Sequence, residues 1–187
     1  MPELPEVETV RRGLAAHVDG FSIEQVEIFD KRSLKRNLGS PKAFARELEG
    51  LRLSSFERRG KFLWIPLSDS RCLVTHLGMS GQVLVRNQNS SEDKCERIRL
   101  VVSRGKKFLE VRFIDQRLFG GMYLDDLVSD SSGRKIPVSI THIAPDPLES
   151  TFDLGQVVTT VSRRSAGIKS LLLNQEIMSG IGNIYAD

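Results

Sequence analysis

The spacing of apolar and polar residues predicts a helix at the start of the chain. Leu4, Val7, Val10 and Leu14 recur at the spacing of one helix face. Proline at position 5 suits a first helical turn, and the neighbouring glutamates suit the positive end of the helix dipole. We therefore predict an amphipathic helix that begins near Pro5.

The middle of the chain has the pattern of closely spaced strands. A short helix is predicted at Pro41–Leu48, where Ala43, Phe44 and Leu48 form an apolar face. The predicted strands are Ser22–Phe29, Leu51–Glu57, Lys61–Leu67, Cys72–Leu77, Gln82–Arg86, Arg97–Ser103, Lys107–Phe113 and Gly121–Leu124. Polar residues 87–94 predict an exposed loop, and residues 104–106 predict a hairpin turn. Such dense strands favour an antiparallel sandwich or barrel.

The composition changes near residues 129–133, after which the pattern becomes helical. Helices are predicted at Phe152–Val161 and around Ile168–Leu173, and a glycine-rich turn at 179–182 leads into a last helix capped by Asn183. We predict an α+β protein with a β-sandwich domain at 1–132, a linker at 133–150 and part of a helical domain at 151–187. Because the sequence stops one turn after Asn183, we expect a C-terminally truncated protein.

Composition and charge limit the class of protein. The 187 residues are 40% hydrophobic and 27% charged, as in a soluble globular protein of one or two domains. The 27 basic residues against 24 acidic ones permit binding to a polyanion without requiring it. Cys72 and Cys95 form no CxxC pair, and no apolar run has membrane-spanning length. We therefore expect a cytoplasmic protein with no disulfide framework and no zinc site in this chain.

The first residues contain a candidate nucleophile. Pro2 follows the initiator methionine, and removal of Met1 would leave a free secondary amine. An α-amino group titrates at about 7.7–8.0 and a lysine at about 10.4, so more of the former is uncharged at neutral pH. Such an amine condenses with an aldehyde-level carbon to give an iminium ion, which promotes elimination. Glu3 and Glu6 are candidate acids or bases.

Two further segments each allow a structural and a nucleic-acid-binding interpretation, and the sequence alone leaves both open. The cations of Arg58–Lys61 surround a glycine and form either a phosphate grip or a solvated basic turn. At the end of a predicted strand, His76 is either a structural histidine or a phosphate contact. Met79 lies at the tip of the following glycine-bounded turn, where it either packs internally or inserts between bases.

The segments nearer the C-terminus add candidate nucleic-acid contacts. Arg117 and Phe119 lie in a glycine-bounded turn, where a guanidinium and a phenyl ring could replace or stack on bases. The amides of residues 180–183 point to an anion site at a helix N-terminus, with Lys169 nearby in sequence. Together with the N-terminal amine, these features suggest a sugar carbon held in nucleic acid.

Five sequence blocks resemble the bacterial formamidopyrimidine-DNA glycosylase family, of the Fpg/Nei type. They are PELPEVETVRRGL at 2–14, RRGKFLW at 58–64, HLGMSG at 76–81, DQRLFGG at 115–121 and GIKSLLLNQEIMSGIGNIYAD at 167–187. The first and third blocks favour the Fpg branch. The resemblance implies an N-terminal antiparallel β-sandwich followed by the start of a helix–two-turn–helix domain.

The resemblance also implies roles for single residues. Pro2 would attack C1′ of a flipped nucleotide, with Glu3 as general acid, Glu6 in the same carboxylate cluster and Lys61 assisting elimination. The residues expected to contact DNA are His76 and Asn183 at phosphates, Met79, Arg117 and Phe119 in the gap left by the flipped base, and Lys169 in handling oxidised guanine. Leu118 stands where the family commonly has a second arginine.

The implied activity is base-excision repair by a bifunctional glycosylase and AP lyase. It removes 8-oxoguanine and formamidopyrimidines from double-stranded DNA through a proline Schiff base with β,δ-elimination. We expect a monomer that acts near the nucleoid and needs no cofactor for these steps. A full-length protein would bind one structural zinc in a C-terminal four-cysteine finger.

Two other functions are compatible with parts of this sequence. A non-catalytic DNA-binding fragment or paralogue would fit a chain without the C-terminal clamp, although the intact Pro2, Glu3, Glu6 and Lys61 set argues against a paralogue. A tautomerase would use the N-terminal proline as a base on a small substrate, but leaves the other four blocks unexplained.

Overall fold

A computed structural model describes residues 1–187 as a β-sandwich with helices at both ends of the chain. The helices are α1 (Leu4–Val18), α2 (Pro41–Leu48), α3 (Leu154–Ser162), α4 (Ile168–Leu172) and α5 (Asn183–Ala186). The strands are β1 (Ser22–Ile28), β2 (Glu57–Arg59), β3 (Phe62–Pro66), β4 (Arg71–His76), β5 (Gln82–Asn87), β6 (Glu96–Arg104), β7 (Lys107–Ile114), β8 (Gly121–Ser129) and β9 (Lys135–Pro137). Short 3-10 helices span Lys31–Leu34 and Val138–Ile140.

The strands form two antiparallel sheets. One has four strands in the order β1-β6-β7-β5, and the other has five in the order β2-β3-β4-β8-β9. The turn between β6 and β7 lies where the sequence predicts it, since Arg104 pairs with Lys107 and Gly105 adopts a φ of +63°. The predicted α+β fold with an antiparallel sandwich is confirmed.

The main core lies between the sheets and beneath α1 and α2. It includes Val7 of α1, Phe44 of α2, Leu63 of β3 and Phe113 of β7, all nearly free of solvent contact. A smaller core covers the outer face of the five-stranded sheet, where Trp64 packs with residues that include Val74, Tyr123, Ile136 and Ile140. Strands β3 and β4 are therefore buried on both faces, which fixes the turn between β2 and β3.

Two elements differ between the prediction and the structure. Residues 51–56 are not a strand: Arg52 forms an isolated bridge with Ser22, and Leu53 exchanges backbone hydrogen bonds with residues 20–21. Strand β9 is absent from the prediction, although it pairs with β8 and lies within the predicted linker 133–150. The apolar alternation of three residues is too short to reveal such a strand. The division into domains at 1–132, 133–150 and 151–187 stays a prediction.

The C-terminal helices are less buried than the sandwich. Helix α3 is capped by Asp153, whose carboxylate accepts from the Gln156 N–H, and it buries no residue. The prediction that Asn183 caps the last helix is wrong, because the N-cap position belongs to Gly182 and Asn183 is the first helical residue. None of the helices is long and apolar enough to cross a membrane.

Candidate active site

Three distant segments meet in one corner, which we call the catalytic corner: residues 2–6, the turn at 60–61 and the turn at 179–182. The Leu4 N–H donates to the Gly180 carbonyl at 3.0 Å. From the second segment, Lys61 Nζ donates to the Ile181 carbonyl at 2.9 Å. The Gly182 N–H donates to Glu3 Oε2 at 2.5 Å. The predicted residues Glu3 and Lys61 therefore both contact one glycine turn.

The Glu3 carboxylate caps helix α5. Its side chain is 1% exposed and accepts from the N–H groups of Gly182, Ile184 and Tyr185, the latter two at 2.9 and 3.4 Å. A carboxylate at this position satisfies helix donors and meets the positive end of the helix dipole. The Glu3 N–H in turn donates to Glu6 Oε2 at 2.9 Å. Both ends of Glu3 are thus fixed, and with them the half-buried Pro2 that precedes it.

This arrangement corrects the anion site predicted at residues 180–183. The amides do point toward a negative charge, but the charge is the protein's own Glu3 carboxylate. A phosphate cannot replace it without breaking the cap. The site therefore contributes to the catalytic corner and not to phosphate binding.

Glycine is required at two positions of the turn. A Cβ at Gly182 would come within 2.5 Å of the Glu3 carboxyl carbon and 2.8 Å of Lys61 Nζ. Gly180 has a φ of +96°, and a Cβ there would lie 2.8 Å from the Leu4 Cβ. Larger residues would separate the segments that carry Glu3 and Lys61.

The Lys61 ammonium is partly removed from water. Burial lowers the pKa of Lys61, and the charge of Glu3 opposes that change. Burial disfavours the cation and a neighbouring carboxylate favours it. Lys61 therefore gives up a proton more readily than a free lysine while keeping a charged partner nearby.

Arg58 and Arg59 do not bind a phosphate, and they lie in strand β2 instead of the predicted turn. Both side chains are buried and ion-paired within the protein. Arg58 pairs with Asp146 at 2.6 Å and Glu8 at 3.0 Å, and Arg59 pairs with Asp130 and Glu149. The sequence cannot show this because the partners lie up to 90 residues away. Of the cations in Arg58–Lys61, only Lys61 remains available to contact a substrate.

Asp146 is a site-supporting residue that the sequence prediction missed. Its fully buried carboxylate accepts from the Gly60 N–H at 2.8 Å as well as from Arg58. Arg58 holds the pKa of Asp146 below its usual range, although burial opposes the shift. Asp146 thus anchors the turn that carries Lys61. The only signal in the sequence is a short acid between Pro145 and Pro147.

His76 ends strand β4 with a defined ring orientation. Its Nδ1 accepts from the Gly78 N–H at 3.1 Å, and its ring centroid lies 4.7 Å from that of Phe62. Burial, with the nearby charges of Arg36 and Lys61, lowers the pKa of His76 to about 4. The ring is then neutral at pH 7, with its proton on Nε2. That N–H is the group available to a phosphate oxygen.

Met79, Arg117 and Phe119 lie on two adjoining turns, which we call the wedge turns (78–81 and 115–120). Met79 is 40% exposed and Phe119 49% exposed, so neither packs in the interior. The exposed Arg117 guanidinium lies 5.3 Å from the Phe119 ring centroid. An exposed apolar tip beside an aromatic ring and a cation has the composition of a side-chain wedge.

Asp115 holds the wedge turns together. Its carboxylate is fully buried and accepts from Ser80 Oγ at 2.6 Å, the Arg117 N–H at 3.1 Å and the Gly120 N–H at 2.8 Å. The Arg117 N–H also donates to Ser80 Oγ at 3.0 Å. The sequence prediction missed this role, although Asp before a glycine-bounded turn is a common turn signal.

The structure leaves Lys169 apart from this arrangement. It lies exposed on α4 and pairs with the side chain of Asp187. Asn183 is exposed at the start of α5, directly after Gly182. Nothing in the sequence pointed to Gln175, which accepts from the Gly180 N–H and donates to the Ile181 carbonyl, each at 2.9 Å. No group of three His, Cys, Asp or Glu residues is placed to hold a metal ion.

Family comparisons match both parts of the chain. A sequence model described as the formamidopyrimidine-DNA glycosylase N-terminal domain matches residues 1–122, and one described as the H2TH domain of that glycosylase matches residues 143–187. Curated relatives named formamidopyrimidine-DNA glycosylase come from Nocardioides sp., at 45% identity, and Rhodococcus opacus, at 48%. Each alignment covers 100% of this chain, which spans 62% and 64% of those relatives.

Solved structures of an Fpg protein also match this chain. A Lactococcus lactis Fpg in complex with DNA containing an abasic site has a TM-score of 0.79 and 28% identity, covering 99% of this chain and 65% of the other. A second complex of that protein, with DNA containing FAPY-dG, has the same score and identity.

Proposed function

Because this chain belongs to the formamidopyrimidine-DNA glycosylase family, we propose that it carries the catalytic half of a glycosylase and AP lyase that removes oxidised purines from DNA. The observation that supports this most is the catalytic corner, where Glu3, Lys61 and the 179–182 turn meet beside Pro2. The proposed substrates are 8-oxoguanine and formamidopyrimidines in double-stranded DNA. The related Lactococcus lactis protein was solved with damaged DNA, which supports the choice of partner.

The proposed first step is attack by the Pro2 nitrogen on C1′ of the damaged nucleotide. A bond forms between nitrogen and C1′, and the bond from C1′ to the base breaks with its electron pair leaving on the base. The Pro2 nitrogen loses its proton to the Glu3 carboxylate as the new bond forms. Glu3 then gives that proton to the sugar ring oxygen as the ring opens, the Pro2 nitrogen becomes the iminium nitrogen, and the departed base takes a proton from water. The carboxylate that caps α5 is already fixed next to the nucleophile.

The proposed lyase steps follow from the iminium ion. It acidifies the C2′ proton, whose loss breaks the C3′–O bond; a second proton loss then breaks the C5′–O bond. Lys61, whose pKa is lowered by burial, is suited to move a proton or contact the departing phosphate. Glu6 holds the Glu3 backbone and is a positioning partner in this scheme.

The remaining predicted residues would bind and distort the duplex. His76 would donate its Nε2–H to a backbone phosphate, with Asn183 on a neighbouring one. The wedge turns would fill the gap left by the flipped nucleotide with Met79, Arg117 and Phe119. Lys169, exposed on α4, would handle oxidised guanine. We propose a monomer acting on DNA in the cytoplasm.

A DNA-binding function without catalysis is the second candidate. It is favoured by helix α3, which buries no residue and exposes Leu154 and Val158. A loosely held helical part would present DNA poorly to an otherwise complete catalytic corner. A tautomerase has no support from the family comparisons.

The test is a cleavage and binding assay with matched duplexes. One contains 8-oxoguanine opposite cytosine, and the control contains guanine at that position. The proposal expects nicking of the damaged duplex alone, with a one-nucleotide gap bearing phosphates on both ends. Binding without nicking would support the second candidate, and no binding to either duplex would contradict both.

A further inference from the structure

The wedge turn that carries Phe119 has an unusual backbone. Leu118 adopts a φ of +58°, in the left-handed region that residues with side chains rarely occupy. Such a conformation persists when surrounding groups fix it from several sides. The contacts that fix this turn therefore decide where Phe119 points.

One side of the turn is fixed by Asp115. Its carboxylate accepts from the N–H groups of Arg117 and Gly120, which lie on either side of the Leu118–Phe119 peptide. That carboxylate can satisfy donors only, so it makes no contact with the carbonyl groups of the turn. The carbonyls of Leu118 and Phe119 need a donor from elsewhere.

Lys35 supplies that donor from a remote part of the chain. It directly follows the 3-10 helix Lys31–Leu34, and its Nζ donates to the Leu118 carbonyl at 3.1 Å and the Phe119 carbonyl at 3.3 Å. The same Nζ lies 6.0 Å from the Phe119 ring centroid. One ammonium thus contacts two consecutive carbonyls and the ring that follows the strained residue.

We propose that Lys35 is a positioning residue that holds the Leu118–Phe119 backbone in the conformation that projects Phe119 outward. Two of its three donors are used within the protein, and the ring lies on a further side. Asp115 therefore holds the turn through its N–H groups, and Lys35 holds it through its carbonyl groups. The consequence for DNA rests on the proposed function, since it requires Phe119 to enter the duplex.

The first arm of the test needs no DNA. Backbone hydrogen exchange is measured over residues 115–121 in the whole chain and in Lys35→Met, Lys35→Arg and Arg36→Met. Arg36 is the matched control, because it is the next residue, is exposed and does not donate to the Leu118 or Phe119 carbonyl. Loss of charged hydrogen bonds predicts exchange at least about fivefold faster in Lys35→Met. Lys35→Arg restores slow exchange, and Arg36→Met leaves it unchanged.

The second arm measures insertion of the wedge. A duplex with an abasic-site analogue carries 2-aminopurine opposite the analogue, and its fluorescence is read at saturating protein. Lys35→Met is expected to give a smaller fluorescence change, with the salt dependence of binding unaltered. A fall in the salt slope by about 0.9, with unchanged exchange, would make Lys35 a phosphate contact and overturn the proposal.

The two arms separate the two proposals. Unchanged exchange in Lys35→Met, or equal acceleration in Arg36→Met, overturns the role of Lys35 whatever the DNA result. If the unsubstituted chain binds no DNA, the proposed function fails, and the exchange measurement alone decides whether Lys35 holds the turn.

Discussion

Two buried carboxylates organise the two regions that the proposed reaction needs, and they do so in different ways. In the catalytic corner, Glu3 accepts from the N–H groups of Gly182 and of two residues in helix α5, which lie 179 to 182 residues away. In the wedge turns, Asp115 accepts from Ser80 and from two N–H groups of its own loop. Glu3 joins the two ends of the chain, whereas Asp115 joins neighbouring turns.

The two carboxylates also differ in their neighbours: a cation lies near Glu3, and exposed side chains lie near Asp115. Glu3 lies close to Lys61. A Cβ added at Gly182 would come within 2.8 Å of both the Glu3 carboxyl group and Lys61 Nζ. Asp115 has no cation paired with it, and the side chains that it positions point outward, with Phe119 half exposed. We infer that one carboxylate takes part in proton transfer and that the other only holds a shape.

The largest expected effect is on the chemical step in Glu3→Gln. The amide keeps the size of the side chain but cannot give up a proton, so cleavage of the damaged duplex should fall by about 10²–10⁴-fold. Single-turnover rates at saturating protein measure this apart from binding. Asp115→Asn is the matched control, because it also removes a buried charge and places an amide against backbone N–H groups. Equal rates in Glu3→Gln and the unsubstituted chain would remove Glu3 from the reaction.

Asp115→Asn should change stability and DNA distortion more than chemistry. The amide places donors against the N–H groups of Arg117 and Gly120, which should cost about 2–4 kcal/mol of unfolding free energy. Urea titrations measure that loss, and single-turnover rates at saturating protein should stay within about tenfold of the unsubstituted chain. A rate loss as large as that of Glu3→Gln would erase the distinction between the two carboxylates.

His76 lies between the two regions and gives a pH-dependent prediction. Its pKa is lowered from 6.5 to about 4, so the unfolded chain takes up a proton before the folded one does. Stability should therefore be complete above about pH 6.5 and fall by about 2 kcal/mol toward pH 4, after allowance for partial exposure. Urea titrations across this range should show a flatter curve for His76→Gln. Identical pH dependence in both proteins would contradict a neutral, partly buried ring.

The smallest effect is expected in Ser80→Ala. The hydroxyl donates to Asp115 and accepts from the Arg117 N–H, so its loss should cost about 1 kcal/mol. A double-mutant cycle with Asp115→Asn should show coupling, because the two side chains share these bonds. Additive losses would show that the wedge turns are held independently.

The sequence predicts elements whose signals are local. Helix α2 matches its prediction at both ends, since Ser40 caps it and its apolar face repeats within two turns. The hairpin at residues 104–107 follows from one glycine. Strand β9 could not be predicted, because its three residues depend on pairing with the end of β8.

The candidate site was predictable as a set of residue types and not as an arrangement. Pro2, Glu3 and Lys61 follow from their chemistry and the resemblance, but the cap that Glu3 places on α5 depends on a contact between opposite ends of the chain. The burial of Arg58 and Arg59 likewise depends on Asp146 and Glu149, whose positions no local pattern reveals. Supporting residues such as Gln175 and Lys35 act through backbone groups, which leave no mark on the sequence pattern.

The proposed reaction depends on a covalent bond between the N-terminal amine of Pro2 and the sugar carbon C1′. The most direct measurement traps this bond by adding borohydride, which reduces the iminium ion, while the protein reacts with 8-oxoguanine DNA. The adduct is then digested, and the modified peptide is identified by mass spectrometry. We predict the DNA remnant on a peptide that begins at Pro2, after removal of Met1. A remnant on the peptide containing Lys61, or an adduct on a chain that retains Met1, would contradict the account.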